Sequence, residues 1–229
     1  MKLLLFDVDQ TLVSTGGAGL RALDRACRKI LFLENAMEGI NPSGKTDPAI
    51  VREILNRSSI RTPLQSHLDS VLESYLAFLR EEVQTSEKYY VLPGIFQLLE
   101  AMSARSDVML GLATGNIEMG ARVKLDRGGL NQYFTFGGFG SDSEQRTALV
   151  QKAAEAGALK CGSPILPEDV FVIGDTPLDV DAGRAAGFKT IGVATGRYST
   201  DQLLQSGATF AISDFDEGRD HFLRSTFIV

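Results

Sequence analysis

The chain has 229 residues, enough for one or two domains with a buried core that needs neither disulfides nor a metal clip to fold. Apolar residues are 44% and charged residues 23%, an ordinary globular balance that excludes a mainly disordered chain. Lys and Arg number 23 against 29 Asp and Glu, and the resulting net charge of −6, without a basic run, leaves no electrostatic footprint for nucleic acid or an anionic membrane.

The opening MKLLLFDVD is too short an apolar run for a secretion signal, and Asp7 and Asp9 interrupt it. No stretch approaches the roughly 18 apolar residues of a membrane span, so the cytoplasm is the expected location. Cys27 and Cys161 form no motif and read as small core residues or free thiols. Residues 3–6 (LLLF) are continuously apolar, as a strand buried on both faces requires. Similar runs predict strands at 108–113 (VMLGLA), 170–173 (VFVI), 190–193 (TIGV) and 209–212 (TFAI). Helical spacing fills 94–104, 117–127, 143–157, 177–186 and 200–206. This alternation predicts an α/β fold, a doubly wound and mostly parallel sheet with helices on both faces.

Residues 15–90 break the alternation. Leu20, Leu23, Cys27, Ile30 and Leu31 share one helix face. Asp47-Pro48 reads as a cap followed by proline at the first helical position, opening a helix with Ile50, Val51, Ile54 and Leu55 inward. Thr62-Pro63 opens a longer one, with Leu64, Leu68, Val71, Leu72, Tyr75, Phe78, Leu79 and Val83 at helical spacing. The expected organisation is a core of residues 1–14 and 91–229 with an all-α insertion at 15–90. Pro93-Gly94 marks the return.

Chemistry gathers at the strand ends. In Asp7-Val8-Asp9-Gln10-Thr11 the spacing of two puts Asp7 and Asp9 on one side, beyond the carboxyl end of a strand, where open α/β sheets bind ligands. Thr114-Gly115-Asn116 offers a hydroxyl and helix-start amides suited to phosphate, or a plain helix cap. Asp175 leaves the 170–173 strand. Asp179 falls at the third helical position, where it is either a site carboxylate or half of a capping box with Thr176. Asp181 is turned about 200° away from Asp179 and is excluded. Arg146 falls in the first turn of a helix that Ser141, Asp142 or Ser143 could cap, a place where a cation is better explained if an anion docks nearby. Gly39-Ile40-Asn41-Pro42-Ser43-Gly44-Lys45-Thr46 fits the P-loop pattern literally. It lacks the preceding strand, and the helix opens too late for its amides to cradle phosphates.

Together these residues resemble the four motifs of the haloacid dehalogenase superfamily, in order, and the helical insertion looks like that superfamily's C1 cap. Within it the chain is most similar to phosphoglycolate-phosphatase-type members. The resemblance implies a Mg²⁺-dependent phosphatase acting on a small phosphate monoester through an aspartyl-phosphate, with a phosphomutase of the β-phosphoglucomutase type or a non-catalytic phosphate-binding protein as alternatives. It implies Asp7 as nucleophile and Asp9 as acid–base, with Thr114 and Arg146 holding the phosphoryl oxygens. The implied metal ligands are Asp7, the Asp9 carbonyl, Asp175 and Asp179. Asp9 favours a phosphatase over a dehalogenase, because halide leaves without a proton while an alkoxide needs one. Gly115, Asn116, Lys45, Thr46 and Gln10 are the expected substrate-binding residues, while Arg21 and Arg25 read as solvated side chains. Gln10 stands where most members have glycine, and glutamine tolerates positive φ less well. Arg146 stands where lysine is commoner, and its planar fork differs from a point ammonium. The expected partner is a small molecule, and the expected state is a monomer or homodimer.

Overall fold

The computed structural model of the chain describes residues 1–58, 60 and 64–227. From the N-terminus come β1 (Lys2–Phe6), β2 (Val13–Ser14), α1 (Ala18–Leu31), α2 (Asp47–Arg57), α3 (Leu64–Thr85) and β3 (Tyr90–Val91). Helix and strand then alternate through α4 (Ile95–Ser103), β4 (Val108–Thr114), α5 (Glu118–Asp126), β5 (Gly137–Phe139), α6 (Arg146–Cys161) and β6 (Val170–Gly174). The chain finishes with α7 (Pro177–Ala185), β7 (Lys189–Val193), α8 (Thr200–Gln205), β8 (Phe210–Ile212) and α9 (Arg219–Phe227).

Six of the strands form one parallel sheet in the order β5-β4-β1-β6-β7-β8. β1, apolar beyond Lys2, lies inside it, with Phe6 opposite both Leu112 and Ile173. The period of two divides its side chains between the faces. Leu3 and Leu5 pack with Val150 and Ala153 of α6 and Ala182 of α7, while Leu4 and Phe6 pack with residues of α4, α5 and α9. The expected doubly wound α/β fold is what forms. The chain steps outward through β4 to β5, then the opposite way through β6, β7 and β8. This reversal beside β1 opens a crevice at the strands' carboxyl ends.

α1, α2 and α3 bury a separate apolar cluster that includes Leu23, Cys27, Val51, Ile54, Val71 and Leu79. Leu20 departs from the expected inward face and is 44% exposed. The two short strands β2 and β3, not anticipated from the sequence, pair antiparallel where the chain enters and leaves these helices. Thr46, not Asp47, is the N-cap of α2: its hydroxyl accepts the Ala49 amide at 3.3 Å, which puts Pro48 one position deeper. The helix start expected at Thr62-Pro63 lies outside the described residues. α6 begins at Arg146, after a Gln145 cap that makes no side-chain bond, so none of Ser141, Asp142 and Ser143 caps it. β5 and α9 were also not anticipated. Cys27 is buried, Cys161 is half-buried, and both are free thiols. No helix among the described residues is long and apolar enough to cross a membrane.

Candidate active site

The β1 ladder runs one residue past the strand. The Asp7 amide donates to the Ile173 carbonyl at 2.9 Å, which fixes the buried Asp7 at the sheet's carboxyl edge. The chain then turns tightly, with the Leu12 and Val13 amides both returning to the Val8 carbonyl at 3.0 and 3.1 Å. Gln10 adopts φ of 58°, the left-handed conformation its place in the sequence pattern led us to expect. The Thr195 hydroxyl donates to the Gln10 carbonyl, and Gln10 Nε2 donates to Ser14 Oγ at 3.2 Å.

Asp175 follows β6, and Asp179 sits in the first turn of α7. The capping box exists: Asp179 Oδ2 accepts the Thr176 amide (3.1 Å) and hydroxyl (2.7 Å). Capping uses only that oxygen, and Oδ1 accepts from Arg146 Nη2. The two roles weighed for Asp179 are therefore compatible. Asp7, Asp175 and Asp179 each offer an oxygen lying within 4.8 Å of the others, all three buried. Arg146 Nη2 also lies 3.8 Å from Asp7 Oδ1. Its Nε is buried with no hydrogen-bond partner, a cationic donor ready for an anion. Gly196 is required beside Asp175, because a Cβ there would run into Asp175 Oδ2.

One guanidinium does not balance three buried carboxylates. Burial, then the charges of Asp179 and Asp9, raise the Asp7 carboxyl to about 7, against the lowering pull of Arg146 and a Thr114 hydrogen bond. Burial and the charges of Asp179, Asp7 and Asp9 raise Asp175 to about 9. The donor set is all hard oxygen, and its excess negative charge suits a divalent cation such as Mg²⁺.

Asp9 is held apart from this cluster. Its Oδ2 accepts Lys124 Nζ at 2.6 Å and Asn116 Nδ2 at 2.8 Å. Lys124 also donates to Asn116 Oδ1 at 2.5 Å, and Asn116 Nδ2 donates to Thr114 Oγ1 at 2.8 Å. Both ends of the Asn116 amide are thus engaged by protein groups. Thr114 is fully buried, with its hydroxyl committed to Asp7 and Asn116. Sequence reasoning missed Lys124. The signal was a lysine one residue before Leu125 on the inward side of α5, where it is 4% exposed.

A cavity of about 630 Å³ lies between these strand ends and the helices, lined on the core side by Asp7, Asp9, Gln10, Gly115 and Asn116. Lys45 lines the helical side, with its ammonium 2.5 Å from Glu53. Thr46 is buried, and its hydroxyl serves as the α2 cap. Gly115 admits the helical side to the core, since a Cβ there would meet the Lys45 carbonyl and Arg146. The loop before α2 has no preceding strand and no P-loop geometry, as expected. Arg197, also missed, lines the cavity and donates to Asn41 Oδ1 at 3.1 Å. Arg21 and Arg25 pair with Glu81 and Glu82 on α3. Asp181 is exposed, as its helical angle requires.

A buried carboxylate cluster and an arginine at the switch point of a parallel sheet define a site for charged ligands. The chain belongs to the haloacid dehalogenase-like hydrolase family, whose model matches residues 4–193. It is 26% identical over 219 residues, 94% of this chain and 90% of the relative, to a protein of Dickeya dadantii named "Probable phosphatase IndB". It is 27% identical over 226 residues, 93% of this chain and 76% of the relative, to a phosphoglycolate phosphatase of Pseudomonas fluorescens. The crystal structure of a hydrolase from Pseudomonas syringae shares the fold, with a TM-score of 0.74 at 20% identity, covering 97% of this chain and 98% of that one.

Proposed function

We propose that this hydrolase is a Mg²⁺-dependent phosphatase of small organic phosphate monoesters, phosphoglycolate-like in size, working through an aspartyl-phosphate on Asp7. The observation that carries the reading is Arg146, whose Nη2 lies 3.8 Å from Asp7 Oδ1 and whose buried Nε has no hydrogen-bond partner. There an arginine can receive phosphoryl oxygens next to a nucleophile. Residues 1–14 and 91–229 form the catalytic core in this reading, and 15–90 form a cap that shields the reaction from water.

Asp7, Asp175, Asp179 and the Asp9 carbonyl would hold the metal ion, which when bound neutralises charge on the carboxylates and the phosphoryl group. Arg146 holds the phosphoryl oxygens, and Thr114 orients Asp7. An Asp7 oxygen bonds to phosphorus while the ester oxygen leaves with the bonding electron pair and takes a proton from Asp9. Water then attacks phosphorus and gives its proton to Asp9, and the Asp7–phosphorus bond breaks to release phosphate. With Asp9 Oδ2 held by Lys124 and Asn116, Oδ1 is left to carry the proton. Gln10 and Lys45 stand where the leaving group would enter.

The test is phosphate release from an aryl phosphate and a panel of small metabolite esters, with and without Mg²⁺. We expect Mg²⁺-dependent turnover that falls at least about 1,000-fold in Asp7→Asn. A panel without turnover, or an Asp7→Asn enzyme at full rate, rejects the proposal.

A further inference from the structure

Asp47 is a buried carboxylate that the mechanism above does not use. It belongs to the helical unit, at the start of α2, yet its bonds go to the core. Its amide donates to the Gly115 carbonyl at 2.8 Å, and its Oδ2 accepts the Ile117 amide at 2.9 Å. These two anchor points flank Asn116, whose side chain holds Asp9.

Ile117 is the N-cap residue of α5 and offers no side-chain cap of its own. Asp47 meets this end of α5 from another part of the chain, placing a negative charge where the helix dipole favours one. Lys124, further along α5, is close enough for its ammonium and the Asp47 carboxylate to act on each other, with the partly exposed Asp9 and the buried Tyr75 beside them. The Asp47 charge thus helps balance the lysine that, with Asn116, grips Asp9. Since β2 and β3 are the strands joining the helices to the sheet, a swing of the helices about them would carry Asp47 away and leave the Ile117 amide without this acceptor, while the next amide, that of Glu118, stays with Ser141 Oγ at 3.2 Å.

We propose that Asp47 is a positioning residue: by clamping the helical unit onto the backbone on both sides of Asn116, it makes the Asn116–Lys124 cradle of Asp9 complete only when that unit is closed. This rests on the phosphatase reading, in which Asp9 supplies the leaving-group proton. Its signature is therefore a dependence on the leaving group. An alkyl phosphate needs that proton, and a nitrophenyl phosphate, whose phenolate departs unaided, does not.

The experiment compares kcat/KM for phosphoglycolate and p-nitrophenyl phosphate in wild type, Asp47→Ala and Asp47→Asn, because kcat/KM reports phosphoryl transfer to Asp7 and not the later water attack, which uses Asp9 alike for both esters. General acid assistance is worth about 100- to 10,000-fold, so Asp47→Ala should lose at least about 30-fold on the alkyl ester and no more than about 3-fold on the aryl ester. Asp47→Asn keeps an acceptor for the Ile117 amide and should recover most of the loss. Equal losses on both esters, or no loss, overturn the proposal. The clamp is also read without turnover, by hydrogen exchange at the Ile117 amide. Exchange should quicken about 10-fold or more in Asp47→Ala, and unchanged exchange overturns the proposal whatever the kinetics. If wild type turns over another alkyl ester of the panel in place of phosphoglycolate, that ester takes its place in the comparison; if it turns over no ester at all, the phosphatase reading fails, and amide exchange alone decides whether the clamp exists.

Discussion

Arg146 is one cation among three buried carboxylates, and its removal has a defined sign. The guanidinium lowers the Asp7 carboxyl, so Arg146→Ala raises it. The acid limb of the kcat/KM profile should then move to higher pH, and the rate should fall about 100-fold or more. Arg146→Lys keeps the charge and should retain part of the rate, with the limb shifted less. A pH–rate series on the three proteins checks both. Gln10 carries a side chain in left-handed backbone, which costs about 1–2 kcal/mol. After glycine's own entropic cost, Gln10→Gly should be neutral to about 1 kcal/mol stabilising, read by urea unfolding. At this scale much of the site was legible. Asp7 and Asp175 announced themselves by following apolar runs, where a lone carboxylate has little structural reason to be, while Asp179 announced itself only as either a site carboxylate or half of a capping box. Lys124 and Asp47 did not, because each looks like an ordinary charged residue of a helix until a partner far away in sequence shows why it is buried.

α2 shows how one residue sets an element's start. Thr46 caps the helix and leaves Asp47 at the first helical position, where its amide is free for Gly115 and its carboxylate for Ile117. Thr46→Ala should lower stability by about 1 kcal/mol, measured by urea denaturation. The central strands were readable because burial on both faces leaves a run of apolar residues with no competing helical period. β5 is three residues of Gly-Gly-Phe at the sheet edge, too short and too glycine-rich to show such a run. β2 and β3, at two residues each, exist only through pairing with each other across the whole helical insertion. α9 spaces Phe222 and Phe227 among charges, and packing against the sheet's distal end completes it. The start of α6 was misread because Ser141, Asp142 and Ser143 are committed elsewhere: Ser141 Oγ accepts the Glu118 amide at 3.2 Å, Asp142 accepts the Phe139 amide at 2.9 Å, and Ser143 accepts that of Gln145 at 3.0 Å.

For the whole molecule, the raised carboxyls of Asp7, Asp175 and Asp47 make stability fall with rising pH when no metal is bound. Unfolding returns each to an ordinary carboxylate value near 4, so from there up to about 7, 9 and 6 respectively the folded chain holds protons the unfolded chain has lost. The metal-free Tm should therefore drop steadily from pH 5 to pH 9. Mg²⁺ competes for the same oxygens, so the Tm gain it brings should widen over that interval. Thermal scans at three pH values decide it, and a metal-free Tm that climbs with pH would contradict the electrostatics. The pairing of Val13 with Val91 and of Ser14 with Tyr90 has a longer reach. The chain departs and re-enters side by side, so the helices hang from the sheet like a pendant from a clasp, with Asp47 as a second fastening. A different pendant with equally close ends could be fitted there without disturbing the register of β1 against β4. That makes residues 15–90 the segment in which descendants of such a chain can most easily change what they admit while inheriting the same chemistry.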